Sequence, residues 1–102
     1  MNAKKNIIKY SELFLHYKNL FTKKQIDYLI DYFLNDLSLH EIAKKYNLTT
    51  ATIADSIKRS KETLDFYENN LHLFAKAIKR SKLYNQIDDK SIKNKLVEID
   101  KI

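Results

Sequence analysis

Neither glycine nor proline occurs anywhere in this sequence. Average usage would place about a dozen of the two in a chain this long. Without them the chain lacks the usual sources of positive-φ turns and fixed-φ corners. Two-residue hairpins lose their best residues, and so do the glycine loops that cradle phosphates or dinucleotides. Sheet proteins and nucleotide-binding enzymes are disfavoured on the same ground. The expectation is an all-α chain whose corners are turned by Asn and Asp.

Over 102 residues, 44% hydrophobic and 31% charged, there is apolar material for one modest core, so residues 1–102 are read as a single domain. No apolar run approaches the ~20 residues of a membrane span. The start, Met1-Asn2-Ala3-Lys4-Lys5, leads into no signal-like stretch. No membrane insertion and a cytoplasmic location are therefore expected. Zero cysteine fits a reducing compartment and removes disulfides and thiolate zinc sites. The bias to 17 Lys against 2 Arg, with 12 Ile and 9 Asn, reads as an A/T-rich genome.

The net charge of +6 invites a nucleic-acid reading, which depends on where the charge sits. Residues 1–35 hold six Lys and three acids, residues 36–68 five bases and six acids, and residues 69–102 eight bases and four acids. The positive charge is at the two ends.

Capping residues mark the helix starts. Ser11 is expected to open a helix carrying Leu13, Phe14, Tyr17, Leu20 and Phe21 at three-to-four spacing. Thr22 with Gln25 forms a capping box before Ile26, Leu29, Ile30, Phe33 and Leu34. Asn35-Asp36 ends that helix, and Ser38 with Glu41 opens a short third one. Asn47 tolerates a left-handed corner, and Thr49 caps a long fourth helix with Ile53, Ile57, Leu64 and Tyr67. Asn69-Asn70 is read as a break or a shift of axis, about Leu71 as the start of a fifth helix, and Asp88-Asp89 as the cap of a last one bearing Ile92, Leu96 and Ile99. The architecture expected is five to six helices.

Residues 38–59 carry the most informative constellation. Ala43 supplies a small residue where two helices approach, Asn47 the tight turn, and Leu48 an apolar plug for the corner. Ile53 and Ile57 return from the second helix at four-residue spacing. This is the pattern of a helix-turn-helix, with two packed helices of no nucleic-acid role as the plain alternative. The residues after 71 form a basic helical extension, 71–102.

The stretches Lys23-Lys24-Gln25-Ile26-Asp27-Tyr28 and Tyr32-Phe33-Leu34-Asn35-Asp36-Leu37-Ser38-Leu39-His40-Glu41-Ile42-Ala43 resemble the YlxM family. Asn47-Leu48-Thr49, Asp55-Ser56-Ile57-Lys58-Arg59-Ser60 and Leu64-Asp65-Phe66-Tyr67-Glu68-Asn69-Asn70-Leu71 continue the resemblance, which covers roughly residues 12–85. It implies a small cytoplasmic all-helical protein with a helix-turn-helix related to region 4 of sigma factors. It also implies association with the signal recognition particle pathway, because family members are typically encoded beside components of that particle. A protein or RNA component of the particle is the partner so implied.

A DNA-reading helix would present Thr50, Ala51, Thr52 and Ala54, then Asp55 and Lys58, to base edges. Related sequences commonly place Arg and Gln near this start, whereas Thr50 and Ala51 make no bidentate base contacts. Residues 49–68 hold three bases and four acids, a poor balance for counterion release. Lys76, Lys79, Arg80 and Lys82 form a second candidate surface, with 76, 79 and 80 on one helix face. That face suits RNA phosphate or an acidic partner, or is a solvated lysine-rich surface. Lys4, Lys5 and Lys9, with Lys18, Lys23 and Lys24, make another basic region.

Twelve aromatics exceed what one small core absorbs. Tyr28 and Tyr32 fall off the Ile26-Ile30-Phe33 face and suggest a second apolar stripe for a homodimer. Base stacking is the alternative and would need these rings beside a basic groove. His16, His40 and His72 are scattered without metal-ligand spacing. Asp27 and Asp31 share a helix face and read as solvated surface charges rather than an acid–base pair. The expectation is a non-enzymatic protein with no cofactor and no metal. It acts either as an accessory factor of the signal recognition particle pathway, through Lys76, Lys79, Arg80 and Lys82, or as a DNA-binding transcription regulator. The regulator would use Thr50, Thr52, Asp55, Lys58 and Arg59.

Overall fold

The computed structural model describes residues 2–102, with side chains from residue 7 onward. Those residues form six α-helices and no strand: α1 (Asn2–Tyr17), α2 (Lys23–Leu29), α3 (Leu39–Tyr46), α4 (Thr50–Leu71), α5 (Leu73–Tyr84) and α6 (Lys90–Asp100). The all-α expectation holds. The chain divides into two compact units, Met1–Leu71 and His72–Ile102.

The first unit is built around the long helix α4. Leu13, Phe14 and Tyr17 of α1 are buried, as are Leu29, Phe33, Ile42, Ile53, Ile57 and Leu64. Each such side chain contributes about 1.5–3 kcal/mol by leaving water. The Phe14 ring meets Phe21 edge-on at 6.4 Å and Phe33 at 6.1 Å. Two tyrosines tie α1 to the far end of α4: Tyr10 donates to Asp65 at 2.7 Å and Tyr17 to Glu68 at 2.6 Å.

Most corners fall where the sequence places them. The Thr22–Gln25 and Ser38–Glu41 capping boxes are both closed, and Thr49 Oγ1 accepts from the Thr52 amide at 3.1 Å. Asp36 and Asn47 adopt left-handed backbones, with φ of 56° and 57°. Two expectations are corrected. First, α1 begins at Asn2 rather than near Ser11. Ser11 lies inside the helix, its hydroxyl donating to the Ile7 carbonyl at 2.7 Å, a backbone bond that a mid-helix serine can make. Second, the break or shift of axis expected at Asn69-Asn70 falls two residues later, at His72. Asn70 donates its side-chain amide to the Phe66 carbonyl at 2.7 Å, α4 runs on to Leu71, and His72 takes the left-handed corner at φ 56°.

A widened turn over Ile30–Leu34 follows α2, closed by the Asn35 amide on the Ile30 carbonyl at 3.0 Å. This five-residue step changes the register of the side chains that follow. Leu29 and Phe33 face the core, whereas Leu34 stays exposed.

The second unit consists of α5 and α6, and neither helix has a buried residue. Asp89 caps α6, accepting from the Ser91 and Ile92 amides at 2.9 and 3.2 Å. Asp100 on α6 accepts from Arg80 Nε at 3.2 Å and from the Tyr84 hydroxyl at 2.9 Å, which joins the two helices.

Candidate nucleic-acid interface

The helix-turn-helix is assembled from α3 and α4. Ala43, 3% exposed, permits the close approach beside the fully buried Ile42. Asn47 closes the corner, its amide and that of Leu48 reaching back to the Lys44 and Ala43 carbonyls at 3.3 and 2.8 Å. Ile53 and Ile57 return to α3 as the spacing predicts, at 0% and 3% exposure. Leu48 is a partial plug only: over a third of its surface remains open.

A buried carboxylate fixes α3. Asp31, at 2% exposure, sits in the widened turn after α2 and is not the solvated surface charge that its spacing from Asp27 suggests. It accepts from the Tyr46 hydroxyl at 2.8 Å, from Lys45 Nζ at 3.0 and 3.1 Å, and from the Asn35 amide at 3.0 Å. Burial alone would raise this carboxyl. The bonds from Tyr46, Lys45 and Asn35 outweigh it and hold the group below the usual aspartate value. The Lys45 ammonium is correspondingly raised by Asp31, and burial together with Asp31 raises the Tyr46 phenol. Tyr28 stacks edge-on against Tyr46 at 5.0 Å. Its ring is therefore interior, so the second apolar stripe expected at Tyr28 is not there, whereas Tyr32 remains half-buried against Phe33 at 5.3 Å.

Thr50, Ala51, Thr52, Asp55, Lys58 and Arg59 are all exposed on α4. Their freedom differs. Thr52 Oγ1 is within 2.8 Å of Thr49 Oγ1, and Arg59 Nε lies 3.0 Å from Asp55. Thr50 and Lys58 have no protein partner among the described residues. Asp65 and Glu68, which make the acid count of α4 exceed its base count, face α1 through Tyr10 and Tyr17.

On α5, Lys76, Lys79 and Lys82 are exposed, and no described carboxylate pairs with them. Arg80 is turned to α6, where its Nε is 3.1 Å from Asp100 Oδ1. Three of these four cations are thus exposed without a described carboxylate partner, and the fourth has a bonding role. Lys4 and Lys5 lie outside the residues whose side chains are described. No group of His, Asp and Glu among the described residues could hold a metal ion. No described helix is long and apolar enough to cross a membrane.

Residues 4–102 match the family described as "Putative helix-turn-helix protein, YlxM / p13 like". The chain belongs to this family. It is 45% identical over 82 residues to the UPF0122 protein MYPE4850 of Malacoplasma penetrans, covering 80% of this chain and 77% of that protein. It is 37% identical over 95 residues to the UPF0122 protein YofM of Lactococcus lactis subsp. lactis, covering 88% and 86% respectively. A relative from Geobacillus sp. (strain WCH70) is 43% identical over 77 residues, 76% of this chain and 70% of its own. The family match takes in all of α6, beyond residue 85, where the resemblance read from the sequence stops.

Sequence reasoning missed the Asp31 cluster and the surroundings of Tyr28. The available signal was the Lys45-Tyr46 pair closing an otherwise amphipathic helix, but nothing local links it to a carboxylate 14 and 15 residues earlier.

Proposed function

We propose that this protein is a non-enzymatic accessory factor of the signal recognition particle pathway that binds RNA. The phosphates rest on the Lys76, Lys79 and Lys82 side of α5, and Arg80 holds that helix on α6. The single observation supporting this reading is the state of the cations. The three lysines of α5 have no carboxylate partner among the described residues, whereas the only arginine of α4 is paired with Asp55. Unpaired ammonium groups release counterions from a polyanion, and paired ones gain little.

The test is a titration of the particle's RNA against the whole chain at several salt concentrations, comparing wild type with Lys76→Glu/Lys79→Glu. Losing two phosphate contacts should flatten the plot of log affinity against log salt by about 1.4–1.8. Unchanged affinity and slope would refute the reading, and binding that survives nuclease treatment of a lysate would move the partner to a protein component.

The second reading, a DNA-binding regulator, is favoured by one specific observation. Asn47 closes the corner between α3 and α4, and Thr50, Ala51, Thr52 and Asp55 at the start of α4 are exposed. Discrete, sequence-selective sites in a titration against genomic DNA fragments would decide for it. Weak binding to any polyanion would decide against it.

A further inference from the structure

Two cavities open side by side where the start of α2 faces the α3–α4 corner. One, about 380 Å³, is lined by Thr22, Lys24, Tyr28, Leu48, Ser56 and Arg59, among others. The other, about 450 Å³, brings in Lys23, Asp27 and Tyr46. Lys24, Tyr28 and Leu48 line both, so the two share a wall. Either volume falls in the range of ~300–1,000 Å³ that small-ligand sites occupy.

Tyr28 is the decisive residue. It is 5% exposed and lines both cavities, yet its hydroxyl has no hydrogen-bond partner among the described residues. The hydroxyl oxygen itself is not enclosed, since among the described residues only the Ser60 hydroxyl is buried without a partner; it opens onto the cavities. The other tyrosine of the pair, Tyr46, has one in Asp31. The Tyr28 hydroxyl is left to meet whatever enters the cavities, beside the exposed ammonium groups of Lys23 and Lys24.

We infer that these cavities receive two successive nucleotides of single-stranded RNA, one on either side of Leu48. The linking phosphate lies at the shared wall, taking the Tyr28 hydroxyl as donor and Lys24 as counter-charge. Asp27 and Asp55, which would repel a phosphate alone, accept from 2′-hydroxyl and exocyclic amino groups, and the first of these is what separates RNA from DNA. A duplex keeps its bases stacked and cannot place one in each cavity. The site is distinct from the α5 lysines, so the two readings fail separately.

The experiment is fluorescence anisotropy with a labelled single-stranded RNA of about eight nucleotides containing adenine and cytosine, against the full chain at several salt concentrations. Tyr28→Phe removes only the hydroxyl and keeps the ring on Tyr46. It should weaken binding about tenfold with the melting temperature unchanged. Lys24→Glu, at an exposed position that cannot compromise the core, should reduce the salt slope by about 0.7. Wild-type affinity in both variants overturns the inference, as does equal binding of single-stranded DNA of the same sequence or preference for a duplex. If Lys76→Glu/Lys79→Glu alone abolishes binding, the α5 reading stands and this one falls. If only the Tyr28 and Lys24 variants lose it, the reverse holds.

Discussion

Replacing Asp31 by Asn keeps the shape of the side chain and removes its charge, in a position only 2% exposed. The native carboxylate takes bonds from Tyr46 at 2.8 Å, Asn35 at 3.0 Å and Lys45 at 3.0 Å. A hydrogen bond to a charged group contributes about 1.5–3 kcal/mol. The Lys45 side chain is half-exposed and returns to water, so its share is small. The Tyr46 bond survives in weaker, neutral form, and the new amide donors are left facing Asn35 and Lys45. The net loss at pH 7 is about 2–3 kcal/mol, which lowers the melting temperature by about 10–20 °C in a domain of this size. The pH dependence has a definite sign. The folded carboxyl is depressed, so its contribution is complete above the ordinary aspartate value of ~3.9 and is lost as pH falls through the folded value. Wild type and Asp31→Asn should therefore differ most near pH 7 and converge below about pH 4. Thermal and urea unfolding followed by circular dichroism measures both. A variant within about 0.5 kcal/mol of wild type at pH 7, or a gap that widens in acid, would refute the reasoning.

Three further changes test other parts of the fold. Asn47→Ala puts a Cβ without a compensating side chain into a left-handed corner and should cost about 1 kcal/mol, whereas Asn47→Gly should cost nothing; urea midpoints separate them. Ser60 is buried with a hydroxyl that no described group bonds, so Ser60→Ala should raise stability by up to about 1 kcal/mol, and a clear drop in the melting temperature would contradict this. Burial and the Asp65 carboxylate push the Tyr10 phenol up to about 12. The stability tied to that proton is present below about pH 10 and is lost as pH rises toward 12, and Tyr10→Phe should flatten that alkaline limb.

What the sequence made legible was whatever is decided within one helical turn. The Thr22 and Ser38 caps, the Asp36 and Asn47 corners and the Ile53–Ile57 stripe are local statements, each carried by residues three or four apart. Asp31 was illegible because its environment is not local. Its partners on α3 come from 14 and 15 residues away, and the widened turn over Ile30–Leu34 removes the regular spacing from which a solvated position follows. Tyr28 was misplaced for the same reason, since Tyr46 arrives from the neighbouring helix. Asn69-Asn70 misled in the opposite way. Asn is a weak helix former rather than a stop, and a side-chain bond to the Phe66 carbonyl is enough to keep it in. On α5, spacing set Arg80 beside Lys76 and Lys79, but the carboxylate that claims it belongs to α6.

The two tyrosines that bind Asp65 and Glu68 have an effect far from where they sit. They keep negative charge at the carboxyl end of α4, where it adds to the negative pole of the peptide dipoles, while Lys58 and Arg59 lie in the amino-terminal half. Along its axis α4 is therefore a charge gradient running in the same sense as its own peptide dipoles. In front of a polyanion such a gradient exerts a torque. It turns the amino-terminal half of the helix inward before any contact is made and leaves the acids trailing, so that encounters arrive already oriented.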